Sequence, residues 1–325
     1  MSADANSGTG TDTDTDTGVT TVPAGPETGT GTGTAPLFRG LVDDAGLFPP
    51  TALPMAEALE RHRTDLAGND PVLTHRFLCP AGRLDELRDH LTFPIRLGLI
   101  MDVPALPPLD DLVVELVEVR QGPGETPGAV ADRLAGRIPG EARLFVEVDP
   151  RDLTSLPRDG SGPGLKVRCG GPAADAFPRA EDLGAFIAYC AGHGVPFKAT
   201  AGLHNAVRHF DPALGVDRHG FLNLVLAVCA AVQGRDPVPV LKLTDVGGLV
   251  RTAHAVPPEV AGRARELLVS YGSCSTGTPI DDLVALGLVP HRPPAPTPAP
   301  GPGAGTTSRP TPAPGTTFDT AEEIA

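Results

Sequence analysis

Lysine is nearly absent from this sequence, which has three lysines against twenty-three arginines. A solvated surface cation can be either residue, but only lysine can act as a neutral amine nucleophile, because guanidinium stays protonated in proteins. Lys166 and Lys198 each end an apolar run typical of a strand, and they are the leading candidates for chemistry. The competing interpretation is that a composition rich in Ala, Gly, Pro and Arg leaves a few lysines by chance.

Closely spaced cysteine pairs are also absent. The five cysteines are odd in number, widely scattered and never arranged as Cys-x-x-Cys: Cys79, Cys169, Cys190, Cys229 and Cys274. This pattern fits neither a disulfide framework nor a zinc knuckle. We expect these thiols to be reduced and mostly structural.

Long apolar runs and an excess of positive charge are missing as well. No run approaches about 18 apolar residues, and no basic region precedes an apolar stretch near residue 1, so neither a membrane span nor secretion is predicted. The expected location is therefore cytoplasmic. Residues 36–290 carry twenty-four Lys and Arg against thirty-two Asp and Glu, a net charge of −8, which argues against a nucleic-acid partner.

Apolar residues are rare at both ends of the chain. Residues 1–35 form an acidic segment rich in Thr and Gly, and residues 293–325 are dominated by Pro, Ala, Thr and Gly. Neither segment can bury enough surface to offset its ordering entropy, so both are expected to be disordered tails. Residues 36–292 between them match the size of one (β/α)₈ barrel and are expected to form a single domain.

Short apolar runs alternate with helical patterns along that domain. The runs predict eight strands, at residues 41–48, 72–79, 95–101, 114–119, 144–148, 165–168, 195–200 and 269–273. Strands that alternate with helices pair in parallel, and no Gly-x-Gly-x-x-Gly turn follows the first strand to indicate a dinucleotide-binding sheet. Eight repeats therefore favour a closed TIM-type (β/α)₈ barrel in the α/β class.

The connection between the seventh and eighth strands is long, and its middle part is ambiguous. Residues 238–250 fit either a further strand or the entry to a helix. We prefer a helix entry capped by Thr244 or Asp245, which makes Lys242 a peripheral charge.

The carboxyl ends of barrel strands carry the reacting groups in such folds. Because side chains alternate along a strand, Lys166 shares a face with Arg168, and Lys198 shares one with Thr200. The sixth and seventh strands are neighbours, so the two ammonium groups are expected to lie close together. Burial and the like charge would then lower the pKa of one lysine to about 7–8, as an imine-forming lysine requires.

Three motifs resemble class I aldolases of the deoxyribose-phosphate aldolase type. That family has an imine-forming lysine in Lys-Thr-Ser-Thr-Gly at the end of strand six, a second lysine in Lys-Ala-Ala/Ser-Gly-Gly on strand seven, and a Gly-x-Ser-rich phosphate loop after strand eight. The matching segments here are Lys166-Val-Arg-Cys-Gly-Gly, Lys198-Ala-Thr-Ala-Gly202 and Tyr271-Gly-Ser-Cys-Ser275.

The resemblance implies a role for each matching residue. Lys166 would form the Schiff base, Lys198 would lower its pKa, and the turn containing Gly272, Ser273 and Ser275 would hold an anion. Gly202 would let the backbone pass close to the substrate. Arg168 stands where the family motif has a small hydroxyl residue, and the acid that the family carries on strand four is left unassigned here.

Further candidates come from their positions near strand ends. Asp43 suits a proton-transfer or substrate-binding carboxylate, and Glu147 suits a general base, although a turn and a structural ion pair explain them about as well. His204 is a candidate proton shuttle or substrate contact. His209 and His219 share its connection, but the spacing argues against a metal site.

Three functions remain open. The first is a carbon–carbon lyase that forms an imine at Lys166 with a small anionic carbonyl substrate, tuned by Lys198 and assisted by Glu147 or His204. The second is a barrel that binds an anion or metabolite without catalysis, and the third is a metal-dependent lyase or isomerase. The first requires no cofactor and no metal ion. The oligomeric state is left open.

Overall fold

The computed structural model describes residues 34–291. Apart from residues 34 and 35, the two tails predicted to be disordered lie outside the described residues. Eight parallel strands close into a barrel, which confirms the predicted (β/α)₈ architecture. The barrel strands are β1 (Val42–Asp44), β2 (Leu73–Pro80), β3 (Arg96–Ile100), β4 (Val113–Arg120), β5 (Arg143–Val148), β6 (Gly164–Arg168), β7 (Phe197–Thr200) and β10 (Leu268–Ser273).

Helices pack around the barrel, although no α-helix separates β3 from β4 or β5 from β6 in the described residues. They are α1 (Ala35–Phe38), α2 (Met55–Gly68), α3 (Leu84–His90), α4 (Pro127–Leu134), α5 (Ala180–His193), α6 (Phe221–Val232), α7 (Val238–Lys242), α8 (Val246–His254), α9 (Pro258–Leu267) and α10 (Gly277–Ala285). All eight predicted barrel strands are present at nearly the predicted positions. The sequence pattern did not predict the small antiparallel hairpin after β7, which is formed by β8 (His209–Asp211) and β9 (Val216–Arg218).

The ambiguous segment 238–250 is helical. Lys242 ends α7 and forms an ion pair with Glu181 at a half-exposed position, so it is a peripheral charge as expected. Asp245 is the N-cap residue of α8, although its side chain makes no capping hydrogen bond. The strand count therefore stays at eight in the barrel.

The packing around α6 explains why residues 238–250 form helices. All but one of its residues are buried, because α5, α7, α8 and α9 surround it. Its one polar side chain, Asn223, donates to the carbonyl oxygens of Val240 and Leu243 at 2.9 and 2.7 Å and accepts from the Arg208 amide at 2.8 Å. Asn223 thus uses the free carbonyls at the end of α7 and ties the two helices together.

The two ends of the described chain meet at the amino ends of the strands. The hydroxyl of Thr34 donates to the carbonyl oxygen of Leu288 at 2.5 Å in a buried position. The Gly40 amide, just before β1, donates to the Pro71 carbonyl just before β2 at 2.7 Å, which places α1 at the amino end of the barrel. Within residues 34–291, none of the helices combines the length and the apolar character needed to cross a membrane.

The loops after β6 and β7 pass each other at backbone contact. A Cβ added to Gly170 would lie 2.7 Å from the Cα of Gly202 and 2.7 Å from the Phe177 ring. Gly202 adopts a φ of +72°, a left-handed conformation that favours glycine. The glycines after the two lysines therefore serve this close crossing, and Gly170 does not leave an open space for a substrate.

We predict opposite effects for two glycine-to-alanine substitutions. Gly170→Ala should lower the free energy of unfolding by about 1–3 kcal/mol, because the new methyl meets backbone that cannot move aside. Gly262→Ala, in the body of α9 with nothing within 4 Å of the new methyl, should raise it by about 0.5–1 kcal/mol. Urea unfolding of both variants checks this. A Gly170→Ala protein as stable as the parent would contradict the close crossing.

Candidate active site

Charged side chains occupy the centre of the barrel. Strand register places Glu147, Lys166, Lys198 and Ser270 side by side on four neighbouring strands, β5, β6, β7 and β10. Glu118 on β4 completes the group and is 2 % exposed. The two lysines of interest therefore lie inside the same barrel at the same level, as the alternation of side chains predicts.

Glu118 lies between the two lysines and contacts both. Its Oε2 is 2.6 Å from the Nζ of Lys166, and its Oε1 is 3.1 Å from the Nζ of Lys198. Oε1 has no hydrogen-bond donor in the described structure, so its contact with Lys198 is an ion pair. Glu118 therefore places one negative charge between two ammonium groups.

Lys198 is held on its other side by Asp43. The ammonium group forms an ion pair with the Asp43 carboxylate and donates to the Ser270 hydroxyl at 3.1 Å, and Ser270 donates to Asp43 Oδ2 at 2.7 Å. Its Nζ also lies 5.9 Å from the centre of the Phe145 ring. With a side chain 1 % exposed, Lys198 is fixed on every side and is the less accessible of the two lysines.

Asp43 is anchored by a bulge in β2. Pairing with β1 jumps from Val42–Leu73 to Asp44–Phe77, so the β2 side has two extra residues, and His75 between them has a φ of +55°. The bulge lets both Thr74 and Arg76 reach Asp43 Oδ1, at 2.7 and 2.8 Å. Asp43 is thus a fully buried partner of Lys198 rather than a carboxylate in the loops at the barrel mouth.

Access to the cluster is from the Lys166 side. Glu147 Oε2 lies 3.1 Å from Lys166 Nζ, and its Oε1 lies 3.4 Å from Arg168 Nε. The exposed fraction of the side chain rises from 6 % for Lys166 to 11 % for Glu147 and 46 % for Arg168. These three residues lead from the buried lysine to the solvent at the carboxyl end of the barrel.

The carboxylates set the protonation states. Burial alone would lower the pKa of Lys166, but the charges of Glu118 and Glu147 outweigh it and the pKa is raised. Burial opposes ionisation of Glu118, yet the two lysines hold its pKa below the ordinary value. The expectation that the second ammonium lowers the pKa of Lys166 is therefore wrong for this arrangement, because Glu118 separates the two charges.

Burial opposes the ionisation of Asp43 as well. It raises the pKa, but the charges of Lys198 and Arg76 prevail and bring it from 3.8 down to about 2. Asp43 is therefore ionised at neutral pH.

The predicted anion-binding turn has its hydroxyls engaged elsewhere. Ser273 donates to the Ser275 carbonyl at 2.7 Å, and the Ser275 hydroxyl accepts from the Thr278 amide at 3.2 Å at the start of α10. Gly272 faces Leu78 and Thr200, and a Cβ there would lie 3.1 Å from a Leu78 methyl carbon. Ser275 thus caps a helix.

The histidines are separate from the lysine cluster. His204, in the loop after β7, has its Nδ1 3.7 Å from the sulfur of Cys274. His209 contacts the Val207 carbonyl, and His219 contacts the Pro178 carbonyl at 2.8 Å. Within the described range, no group of three or more His, Cys, Asp or Glu side chains is placed to hold a metal ion.

Several residues of the cluster were weak or missing candidates in the sequence. Glu118 is one of two acids in β4, and because its side chain is buried it demands a partner. Ser270, Thr74 and Arg76 were missed. Arg76 also lies within a predicted strand, and an arginine there needs a buried counter-charge. The β2 bulge that directs Arg76 toward Asp43 has no sequence signature.

Removing the charge of Asp43 should be far more damaging than removing that of a surface acid. Asp43→Asn leaves Lys198 buried without its closest counter-charge, and we expect the free energy of unfolding to fall by about 3–5 kcal/mol. Glu181→Gln removes the partner of the half-exposed Lys242 and should leave the free energy of unfolding nearly unchanged. Urea unfolding compares the two, and similar losses would contradict the buried pair.

Acid stability provides a further check on Asp43. Because its pKa is lower in the folded protein than in the unfolded chain, its stabilisation is complete above about pH 4 and is lost as the pH falls through about 2. The shift corresponds to about 2 kcal/mol. The fall in unfolding free energy between pH 5 and pH 2 should be smaller by about that amount in Asp43→Asn. Parallel pH profiles would show that Asp43 is not the ionised partner.

The comparisons with known proteins assign the chain to no family. No protein-family model matches the chain, and no curated protein is significantly similar to it. A function for this barrel therefore has to come from the chemistry of its own residues.

Proposed function

We propose that this barrel is a carbon–carbon lyase of the class I, imine-forming type, acting on a small anionic carbonyl compound at Lys166. The observation that carries the proposal is the placement of Lys166 between Glu118 and Glu147, inside the barrel and next to a second buried lysine. The proposed reaction uses side chains alone.

The buried charges favour chemistry over a purely structural role. Ion pairs taken out of water contribute little to stability, and apolar residues of similar volume usually do as well or better. Arginine fills almost every other cationic position in the chain, yet lysine stands at both central positions. A reversible loss of a proton is the property that lysine has and arginine lacks.

The cluster offers a route for the protons. Lys166 can pass one proton to Oε2 of Glu118, which lies 2.6 Å from its Nζ. The neutral amine then adds to the substrate carbonyl, and a carboxylic acid returns a proton to the departing hydroxyl so that water leaves and the iminium forms. When the carbon–carbon bond breaks, its electrons enter the iminium, and Glu147 accepts the proton of the substrate hydroxyl.

Lys198 and Arg168 have supporting roles in this scheme. Lys198 neutralises part of the Glu118 charge and so keeps Glu118 from holding Lys166 too firmly as an ammonium. Arg168, half-exposed at the rim and in contact with Glu147, is placed to hold an anionic group of the substrate.

The anion-binding alternative has less support from the charges. The two lysine ammonium groups are already matched by Asp43, Glu118 and Glu147, so they offer little unbalanced charge to a ligand. Arg168 alone would have to supply that charge. Nucleic acid remains an unlikely ligand class for a domain with an excess of acidic residues.

Borohydride trapping tests the imine directly. With pyruvate or glyoxylate and sodium borohydride, mass spectrometry should find a reduced adduct on Lys166, none in Lys166→Arg, and the parent amount in Lys242→Arg. The neutral compounds acetone and acetaldehyde should label Lys166 more slowly than pyruvate and glyoxylate do. Arg168→Gln should remove this difference between anionic and neutral compounds. An adduct on Lys198 alone would reverse the roles of the lysines. No adduct with either type of carbonyl would favour the binding alternative.

The pH dependence of trapping follows from the raised pKa of Lys166. Below that pKa the neutral fraction grows about tenfold per pH unit, so the trapping rate should climb steeply between pH 7 and pH 9. Lys198→Met should slow trapping further at each pH, because Glu118 then gives its whole charge to Lys166. A rate that is flat over this range would mean that Lys166 is already neutral in the resting protein.

A further inference from the structure

A second reactive group lies at the barrel mouth, formed by the loops that follow three neighbouring strands. Cys274 comes directly after β10, His204 lies in the loop after β7, and Thr51 lies in the loop after β1. The sheet order places β10 between β1 and β7. The closure of the barrel thus brings Thr51 and His204, which precede Cys274 by 223 and 70 positions in the chain, to one sulfur atom.

The contacts around the sulfur are those of a nucleophile. His204 Nδ1 lies 3.7 Å from Cys274 Sγ, within reach of a thiol–imidazole hydrogen bond, and Thr51 lies beside the sulfur. The carbonyl oxygen of Cys274 accepts from Arg61 at 2.8 Å, which fixes the backbone of this residue. Cys274 retains 7 % exposure, so the residue is not fully closed off from solvent.

The other four cysteines show what the surroundings contribute. Burial raises the pKa of Cys79, Cys169 and Cys229 to about 12 and that of Cys190 further. Burial acts on Cys274 in the same direction, but the hydrogen bonds from His204 and Thr51 reverse it, and the pKa falls from 9.0 to about 7. All five thiols are free, and Cys274 differs from the other four in the direction of its pKa shift.

We propose that Cys274, His204 and Thr51 form a thiolate site at the barrel mouth that small hydroperoxides oxidise to a sulfenic acid. The thiol proton passes to His204, and the thiolate sulfur attacks one peroxide oxygen. A sulfur–oxygen bond forms as the oxygen–oxygen bond breaks, which oxidises the sulfur by two electrons and reduces the peroxide. The departing hydroxide takes the proton from His204 and leaves as water.

The chemistry of this site is independent of the lysine cluster. It needs no imine and no carbonyl compound, so a failure of the lyase proposal would leave it untouched. Peroxide is favoured over larger electrophiles because of the low exposure of the sulfur.

Sulfenic acid trapping provides the test. The full chain is treated with hydrogen peroxide and a cyclic 1,3-diketone, and the adducts are mapped by peptide mass spectrometry. We expect labelling of Cys274 at least about tenfold faster than that of Cys79, Cys169, Cys190 or Cys229, because thiolates and not thiols react. Cys274→Ser should lose this adduct, and Lys166→Met should keep it.

The histidine variants show whether His204 activates Cys274 or whether Cys274 reacts only because it is more exposed than the other cysteines. His204→Gln should slow the labelling of Cys274 by about tenfold at pH 7, since the thiol then loses its proton acceptor. His209→Gln is the matched control, because His209 lies in the hairpin of the same connection and its ring contacts the Val207 carbonyl. Thermal unfolding of each variant confirms that it is folded. Even labelling of all cysteines, no label on Cys274, or an unchanged rate in His204→Gln would overturn the proposal.

Discussion

One carboxylate, Glu118, makes the centre of this barrel possible. Two ammonium groups on neighbouring strands at the same level would repel each other strongly in a medium with little water. Glu118 enters from β4 and gives one oxygen to each. Once it is present, Lys198 can be buried completely and Lys166 can stay charged while lying close to the mouth.

The rest of the local structure serves that carboxylate and its partners. Asp43 compensates Lys198, and the β2 bulge, with its strained His75, provides Arg76 and Thr74 to hold Asp43 in turn. Positive and negative charges therefore alternate across the barrel, in the order Arg76, Asp43, Lys198, Glu118 and Lys166. Each member is buried at acceptable cost only because its neighbour is present, so the cluster behaves as a unit.

The sequence predicted the barrel because its pattern is local. Each strand is a short apolar run bounded by turn residues, and eight such runs alternate with helices. The scarcity of lysine directed attention to two residues that the barrel does bring together, since composition needs no three-dimensional information. The helix at 238–250 was also predicted, and α6 with its single buried Asn223 shows the packing that decides it.

The electrostatics of the site could not be predicted in this way. The pKa of Lys166 depends on which acid stands between the lysines, and that depends on the register of β4 against β5. The bulge in β2 and the meeting of Cys274 with His204 likewise arise from strands and loops far apart in the chain. The spacing of residues in the sequence does not reveal contacts that form only when the barrel closes.

The hydrogen bond between Thr34 and Leu288 has a practical consequence. It holds both ends of the described chain together at the amino ends of the strands, on the opposite side of the barrel from Lys166 and Cys274. The ends could be joined by a short linker and the chain reopened in a surface loop without rerouting any strand. For the same reason, a partner domain or an immobilisation tag attached at either end would leave the entrance to the barrel clear.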